Sequence, residues 1–243
     1  MRTITRTAVQ ARTKPGTKSA VKPIENLSVR ALRTREKLTH ATRELLNEGG
    51  YRKLRVQDLT ERAGVAAGLF YRYFHDLREI VHEVSSDFMA QLNSETSVLP
   101  TAVHPYDQIF ERHALALSLF GRNPGIVRCL FQLDGDYPEF GQVWKLAAHD
   151  WNMQVAKFLN SSAEIPMAQA EHMAFVLGAM TEGVFFQYLI RHTEDLSSLG
   201  GRPDDIAEML SVMWYRSIFM KNPLSLVHSF GEKPSICSVC GLM

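Results

Sequence analysis

The sequence lacks any uninterrupted run of about 18 apolar residues, so we expect no membrane-spanning segment. Its basic N-terminus has no apolar stretch of the kind found in secretory signals. Three cysteines cannot all pair within one chain, which favours a reducing, cytoplasmic environment. The sequence contains no GxSxG, Walker, HExxH or strand-linked GxGxxG motif. We therefore expect no catalytic residue, no metal site and no cofactor.

The chain also has little net charge, only +1 over 243 residues, but the charge is unevenly distributed. Residues 1–80 carry 17 Lys and Arg against 8 Asp and Glu, whereas residues 81–243 carry 10 against 18. The net charges of the two parts are therefore +9 and −8. This asymmetry indicates a basic module that faces a polyanion, attached to an acidic body.

Apolar residues recur with the period of a helix, and no alternating strand pattern of useful length is present. Leu38, Ala41 and Leu45 begin one such stripe, which ends at Gly49-Gly50, a pair suited to a helix C-terminus. Prolines fall where later helices can begin. The pattern predicts an all-α protein of about nine helices. We expect a helix-turn-helix module at 28–75 and a helical effector-binding and dimerisation domain at 76–222.

Two terminal segments fall outside these predicted domains. Residues 1–27 include six basic residues and one acid, which predicts a disordered basic arm that either solubilises the chain or contacts phosphates. Residues 223–243 predict a flexible tail that contains Cys237 and Cys240. Structural zinc usually takes four ligands, and only His228 is nearby, so we predict no metal there.

The segment 54–74 predicts two short helices joined by a tight turn at Ala63-Gly64-Val65. Phe70 and Phe74 are four residues apart and would anchor the second helix to a core. Ala67, Gly68, Tyr71 and Arg72 would then form its outer face, where small residues allow a helix end to enter a major groove. An ordinary helical hairpin of a core would use the same pattern, and periodicity alone does not distinguish the two.

Three stretches of this region, Gly50-Tyr51, Val56–Val65 and Gly68–Phe74, resemble the N-terminal module of the TetR family of bacterial transcriptional regulators. The resemblance implies a homodimer whose third helices occupy successive major grooves of a palindromic DNA operator. It also implies that the C-terminal helices form a ligand pocket and the dimer interface. Most members of the family repress, and ligand binding releases them from DNA.

Several positions depart from the family pattern, in which Thr is frequent at Arg55, Ser at Ala66, Thr at Leu69 and Lys at Leu77. Arg55 cannot cap a helix, but its charge can meet a phosphate, and Arg78 is placed to replace the missing Lys. The DNA-binding residues that we predict are Arg55, Gln57, Ala66, Ala67, Gly68, Leu69, Tyr71, Arg72, Tyr73 and Arg78.

The C-terminal half is rich in large apolar residues, which form a core and as a set can also line a cavity. We predict an apolar or aromatic effector bound by Phe110, His113, Phe131, Trp144, Trp151, Met173, Leu177 and Phe185. The polar groups nearest these stripes are His113, His149, Glu182 and Gln187.

The last two predicted helices, 167–192 and 204–221, carry small and flexible apolar residues that suit a four-helix contact between two subunits. These residues are Ala170, Ala174, Gly178, Met180, Ile206, Met209, Leu210 and Met213. Packing within one subunit would use the same residues, so both alternatives remain open.

The sequence therefore predicts a cytoplasmic, ligand-responsive repressor that binds an operator as a homodimer. In the expected mechanism, an effector tilts the fourth helix and changes the spacing of the two recognition helices. Two alternatives remain open. One is an all-α enzyme or binding protein for an apolar small molecule, and the other is a nonspecific architectural DNA binder.

Overall fold

A computed structural model describes residues 27–98, 102–191 and 202–220. Within these ranges all regular secondary structure is helical, with no strand, and the predicted all-α class is confirmed. The basic arm up to residue 26, and the tail with Cys237 and Cys240, lie outside the described residues.

The described residues form nine α-helices, in agreement with the number predicted. Their bounds are α1 Val29–Gly49, α2 Val56–Ala63, α3 Ala67–Tyr73, α4 Leu77–Ser97, α5 Pro105–Arg122, α6 Pro124–Leu133, α7 Pro138–Ala163, α8 Met167–Phe185 and α9 Pro203–Phe219. A 3₁₀ turn at Tyr51–Lys53 precedes α2. The long helix predicted to reach residue 192 is instead α8 followed by a π-helical segment, Phe186–Arg191.

The helix starts follow from side chains that satisfy otherwise unpaired backbone N–H groups. The Ser28 side chain accepts from the N–H of Ala31 at 3.4 Å, and Asp76 Oδ1 accepts from the N–H of Glu79 at 2.9 Å. Helices α5, α6, α7 and α9 have proline in their first turn, where a missing N–H costs no hydrogen bond.

One continuous hydrophobic core joins the N-terminal helices to the body of the protein. It contains Leu38 of α1, Phe70 of α3, Phe88 of α4, Phe120 of α5 and Phe140 of α7, all buried. Helix α4 contributes to it along most of its length and packs against α1, α6 and α7. The module and the body therefore do not have separate cores.

A second cluster holds the C-terminal helices together. Tyr106 of α5, Leu159 of α7, Ala174 of α8 and Trp214 of α9 are buried in it. Helix α7 packs against α8, and α9 packs against α5. Helices α5 and α7 contribute buried residues to both clusters.

Helices α1 and α6 approach unusually closely where the module meets the body. A Cβ atom on Gly125 would lie 2.1 Å from the carbonyl oxygen of Leu46. The N–H of Gly125 donates to Asn47 Oδ1 at 2.9 Å, and Asn47 Nδ2 donates to the carbonyl of Arg122 at 3.3 Å. Only glycine fits this junction, which fixes the end of α1 on the start of α6.

One helical stretch, Met167–Arg191, is long and apolar enough to cross a membrane, with a mean hydropathy of 1.5. We expected no membrane-spanning segment, because the sequence has no uninterrupted apolar run of sufficient length. Glu171, His172 and Glu182 interrupt this stretch, but its mean hydropathy stays high. Only 22% of the window is buried. One helix of this kind is weak evidence for a membrane span.

We predict that Gly125→Ala destabilises the protein by about 1–3 kcal/mol, because the added methyl group forces α1 and α6 apart. The matched control is Gly121→Ala in α5, where an added Cβ meets nothing within 4 Å. Urea unfolding measures both variants. Equal stability of Gly125→Ala and the wild-type protein would show that the junction is not rigid.

Candidate functional site

The turn between α2 and α3 is fixed by Gly64. This residue has φ 64° and ψ 40°, a left-handed conformation that favours glycine. The N–H of Gly64 donates to the carbonyl of Glu61 at 3.0 Å, and the N–H of Val65 donates to that of Thr60 at 3.0 Å. These bonds close the C-terminus of α2 and direct the chain into α3, as the sequence predicted.

Helix α3 has one buried face and one exposed face. Phe70 and Phe74 are fully buried, whereas Ala67, Gly68 and Arg72 are exposed and Tyr71 is 54% exposed. The face expected from the sequence is thus on the outside of the protein. Ala66 is also exposed and Leu69 is half-buried.

Tyr73 corrects the predicted set of DNA-binding residues. Its side chain is 5% exposed and belongs to the core with Phe70 and Phe74. The helix has seven residues, and Tyr73 lies three residues after Phe70, on the same face.

The start of α2 lacks a side-chain cap, as the replacement of Thr by Arg55 predicted. Arg55 instead donates through Nη1 to the carbonyls of Arg52 and Leu54, at 3.0 and 2.8 Å. Gln57 is exposed and donates to Glu61 at 3.3 Å. Both side chains remain at the surface beside α3.

Arg78 is held at the junction with the body. It lies 3.4 Å from Asp76 and 3.8 Å from Glu139, and its guanidinium is 5.1 Å from the centre of the Tyr137 ring. The carboxylates of Asp76 and Glu139 therefore lie beside the positive charge of Arg78, which we expected to contact a DNA phosphate.

Two ion pairs position the module. Arg62 of α2 donates to both carboxylate oxygens of Glu48 in α1, at 2.7 and 3.0 Å, which lowers the pKa of Glu48. Arg35 of α1 pairs with Glu83 of α4 and lies 4.6 Å from the centre of the Phe74 ring. The second pair fixes α1 and the end of α3 on α4.

A cavity of about 190 Å³ lies between α4, α5, α7 and α8. It is lined by Met89, Leu92, Asn93, His113, Ala116, Phe120, Trp144, Ala147, Ala148, Trp151, Asn152, Phe175, Gly178, Ala179, Thr181, Glu182 and Phe185. Four of the eight predicted effector residues are among them: His113, Trp144, Trp151 and Phe185.

The other four predicted pocket residues do not line this cavity. Phe110 packs on the first core cluster, and Phe131 lies behind the wall, with its ring 4.7 Å from that of Trp144. Met173 and Leu177 face the second cluster. Helical spacing predicts that these residues lie on the apolar faces of their helices. It does not predict which part of each apolar face borders the cavity.

Sequence reasoning missed the two asparagines of the cavity wall. Asn93 follows Leu92 on α4, and Asn152 follows Trp151 on α7. Asn93 donates through Nδ2 to the carbonyl of Ala147 at 3.2 Å. In both cases a polar residue directly follows a residue of an apolar stripe, and this pattern could have indicated a polar group in the cavity wall.

His113 is fully buried between the cavity and α9. Ser211 donates to the carbonyl of Ala207 at 2.6 Å, so its oxygen accepts from His113 Nδ1 at 2.9 Å. This pattern assigns the proton of the neutral ring to Nδ1 and leaves Nε2 as an acceptor. Burial lowers the pKa of His113 to about 3, with a smaller contribution from Arg112.

Glu182 is the charged residue of the cavity wall, and about half of it is buried. Burial raises the pKa of its carboxyl, and a hydrogen bond from Trp144 lowers it by less. Within the described ranges, no group of three or more His, Cys, Asp or Glu residues is placed to hold a metal ion.

Comparison with known proteins supports the resemblance seen in the sequence. Residues 38–84 match the family model described as bacterial regulatory proteins, tetR family. The HTH-type transcriptional regulator EthR of Mycolicibacterium smegmatis is 22% identical over 224 residues, covering 90% of this chain and 98% of the relative.

Two solved structures share the fold. A transcriptional regulator from Rhodococcus sp. Rha1 aligns with a TM-score of 0.61 and 17% identity, over 76% of this chain and 96% of that chain. A TetR-like transcriptional regulator from Rhodococcus sp. RHA1 aligns with a TM-score of 0.56 and 15% identity, over 80% and 100%.

The all-α fold, the turn at Gly64 and the exposed face of α3 define a helix-turn-helix protein. Within that class, the match of residues 38–84 to the family model confirms the predicted resemblance to the TetR family.

We predict that His113 makes stability depend on pH. The unfolded chain takes up a proton near pH 6.5, whereas the folded protein does so only near pH 3, so acidification favours unfolding in this window. The free energy of unfolding should fall by about 1.4 kcal/mol for each pH unit below about 6.5 through this residue alone. Denaturant titration at several pH values measures the loss.

The variant His113→Gln should show a smaller loss, and His149→Gln, at an exposed position, should follow the wild-type protein. Parallel curves for His113→Gln and the wild-type protein would contradict the assignment of His113 as buried and neutral.

Proposed function

We propose that the protein is a cytoplasmic, ligand-responsive repressor that binds a palindromic DNA operator as a homodimer. The observation that carries the proposal is the outer face of α3, where Ala67, Gly68, Tyr71 and Arg72 are exposed while Phe70 is buried. These four residues are left free of the core, and together they offer small, aromatic and basic side chains to a partner outside the protein.

The chemistry of this face suits a major groove. A Cβ atom on Gly68 would meet nothing within 4 Å, so packing within the protein does not require glycine there. Small side chains at Ala67 and Gly68 let the start of the helix approach base pairs closely. Tyr71 and Arg72, on the next turn, reach bases or phosphates. We retain Arg55 and Gln57 as flanking contacts and omit Tyr73.

The cavity supports ligand response, and α4 is the proposed lever. The C-terminal part of α4 lines the cavity through Met89, Leu92 and Asn93. Its N-terminal part holds the module through Glu83. A ligand that moves α4 therefore changes the position of α3. Half-sites one DNA turn apart, about 34–36 Å, would then no longer match the dimer.

The outer face of α8 supports the homodimer. Phe175 and Val176 are 66% and 65% exposed, and Met213 of α9 is 48% exposed. Ala170 and Ala174, which we expected at a possible subunit contact, are buried within the subunit. Ile206 and Leu210 are buried there too. The proposed contact therefore uses the opposite side of α8 and accounts for the exposed apolar surface of Met167–Arg191.

We predict that Tyr71→Ala combined with Arg72→Ala abolishes specific binding to the DNA upstream of the gene, at about 1–3 kcal/mol per lost contact. Fold, dimer and cavity should be unchanged, because both side chains are exposed. Gel shift and footprinting measure the binding.

The control Lys145→Ala removes one positive charge from the exposed surface of α7 and should bind DNA like the wild-type protein. An affinity that collapses with salt and shows no preferred site would identify a nonspecific binder instead. Absence of any specific complex in every ligand state would favour a small-molecule binding protein or enzyme.

We predict that Val176→Glu converts the dimer to a monomer, because it places a charge in a contact that excludes water. The control Val103→Glu alters a side chain that is 94% exposed and should remain dimeric. Size-exclusion chromatography with light scattering gives the mass. A dimeric Val176→Glu would place the subunit contact elsewhere.

A further inference from the structure

The cavity has a distinctive chemistry, since its wall is aromatic and carries a single charge. Phe120 lines it, with its ring centre 6.2 Å from that of Trp144 and 5.6 Å from that of Phe185, and Trp151 and Phe175 add two further rings. Glu182 is the one charged side chain of the lining. Trp144, on the facing helix α7, lies close enough to lower the pKa of its carboxyl, although burial raises that pKa by more.

Cations that could balance this carboxylate are missing from the cavity. No Lys or Arg of the described ranges lines it or forms an ion pair with Glu182. A half-buried carboxylate without a cation costs free energy, because burial removes part of its hydration. A ligand that brings a positive charge offsets that cost.

Three other polar residues of the wall, Asn93, His113 and Thr181, already use donor hydrogens within the protein. Asn93 uses one of its two amide N–H groups in donating to Ala147, and His113 uses its Nδ1 proton in donating to Ser211. Thr181 donates to the carbonyl of Leu177 and accepts from Trp214. The side-chain oxygen of Asn93 and Nε2 of His113 therefore remain as hydrogen-bond acceptors.

We propose that the effector is a small, mostly apolar or aromatic molecule that carries a protonated amine, with Glu182 as its counter-ion. The aromatic rings around the carboxylate add cation–π attraction. The volume of about 190 Å³ admits one ring and a short chain, since a cavity of about 150 Å³ holds benzene. An anionic effector would meet no Lys or Arg among the described residues of this wall and would lie beside the Glu182 carboxylate. This inference rests on the cavity being the effector site of the proposed function.

The test compares three ligands of nearly equal shape: phenylpropylamine, phenylpropanol and phenylpropanoate. Calorimetry on the full-length protein without DNA measures their affinities. We expect the amine to bind about tenfold or more tightly than the alcohol, as a charge-assisted hydrogen bond requires, and the carboxylate to bind most weakly.

Glu182→Gln keeps the shape of the side chain but removes its charge, so the preference for the amine should vanish. The control Glu171→Gln removes the same charge from the exposed surface of α8 and should keep the preference. A second readout needs no variant. With the wild-type protein, the preference should weaken on acidification as Glu182 is protonated, while the neutral alcohol stays unaffected.

Several results would overturn the proposal: equal or tighter binding of the alcohol or the carboxylate, a preference that survives Glu182→Gln, or no binding by any of the three at millimolar concentration. Because DNA is absent, these outcomes are independent of operator binding. Amine binding without an operator complex would support the cavity assignment and reject the regulator.

Discussion

Helix α4 is buried against partners at both of its ends, and the rest of the structure depends on this constraint. Ile80, Val81 and Phe88 are at most 1% exposed, so the helix cannot shift without disturbing the core that it shares with α1 and α7. The proposed DNA-binding face and the cavity wall are thus attached to one rigid element. The predicted division near residue 75 separates two proposed functions, but the hydrophobic core is continuous across it.

The cavity carries a cost in stability that a purely structural core would avoid. It leaves space unfilled among Trp144, Phe120 and Phe185, and it keeps Glu182 partly dehydrated. Both features oppose folding, and a ligand that fills the space and pairs with the carboxylate relieves both. Ligand binding is then coupled to the packing around α4, which is the coupling that the proposed repressor mechanism needs.

The helix-turn-helix was predictable because its determinants are local. Gly64 specifies a left-handed turn by itself, and the spacing of Phe70 and Phe74 fixes which side of α3 is exposed. Tyr73 was wrongly assigned, because its position three residues after Phe70 places it on the same buried face. The cavity was only half predicted, since each stripe of α5, α7 and α8 is longer than the part that borders the open space. The spacing of apolar residues predicted the apolar stripe of each helix, but it did not predict that Asn93 and Asn152 line the cavity.

The sequence by itself determined the helical class, the helix starts at prolines and capping residues, and the outward face of α3. These depend on backbone preferences and on spacings of three or four residues. Only the tertiary structure decided which apolar residues line a cavity, which side of α8 stays exposed, and that Arg78 meets Glu139. Those properties arise from contacts between residues far apart in the chain, such as Gly125 against Leu46, where the approach of two helices is set by the packing of all the others.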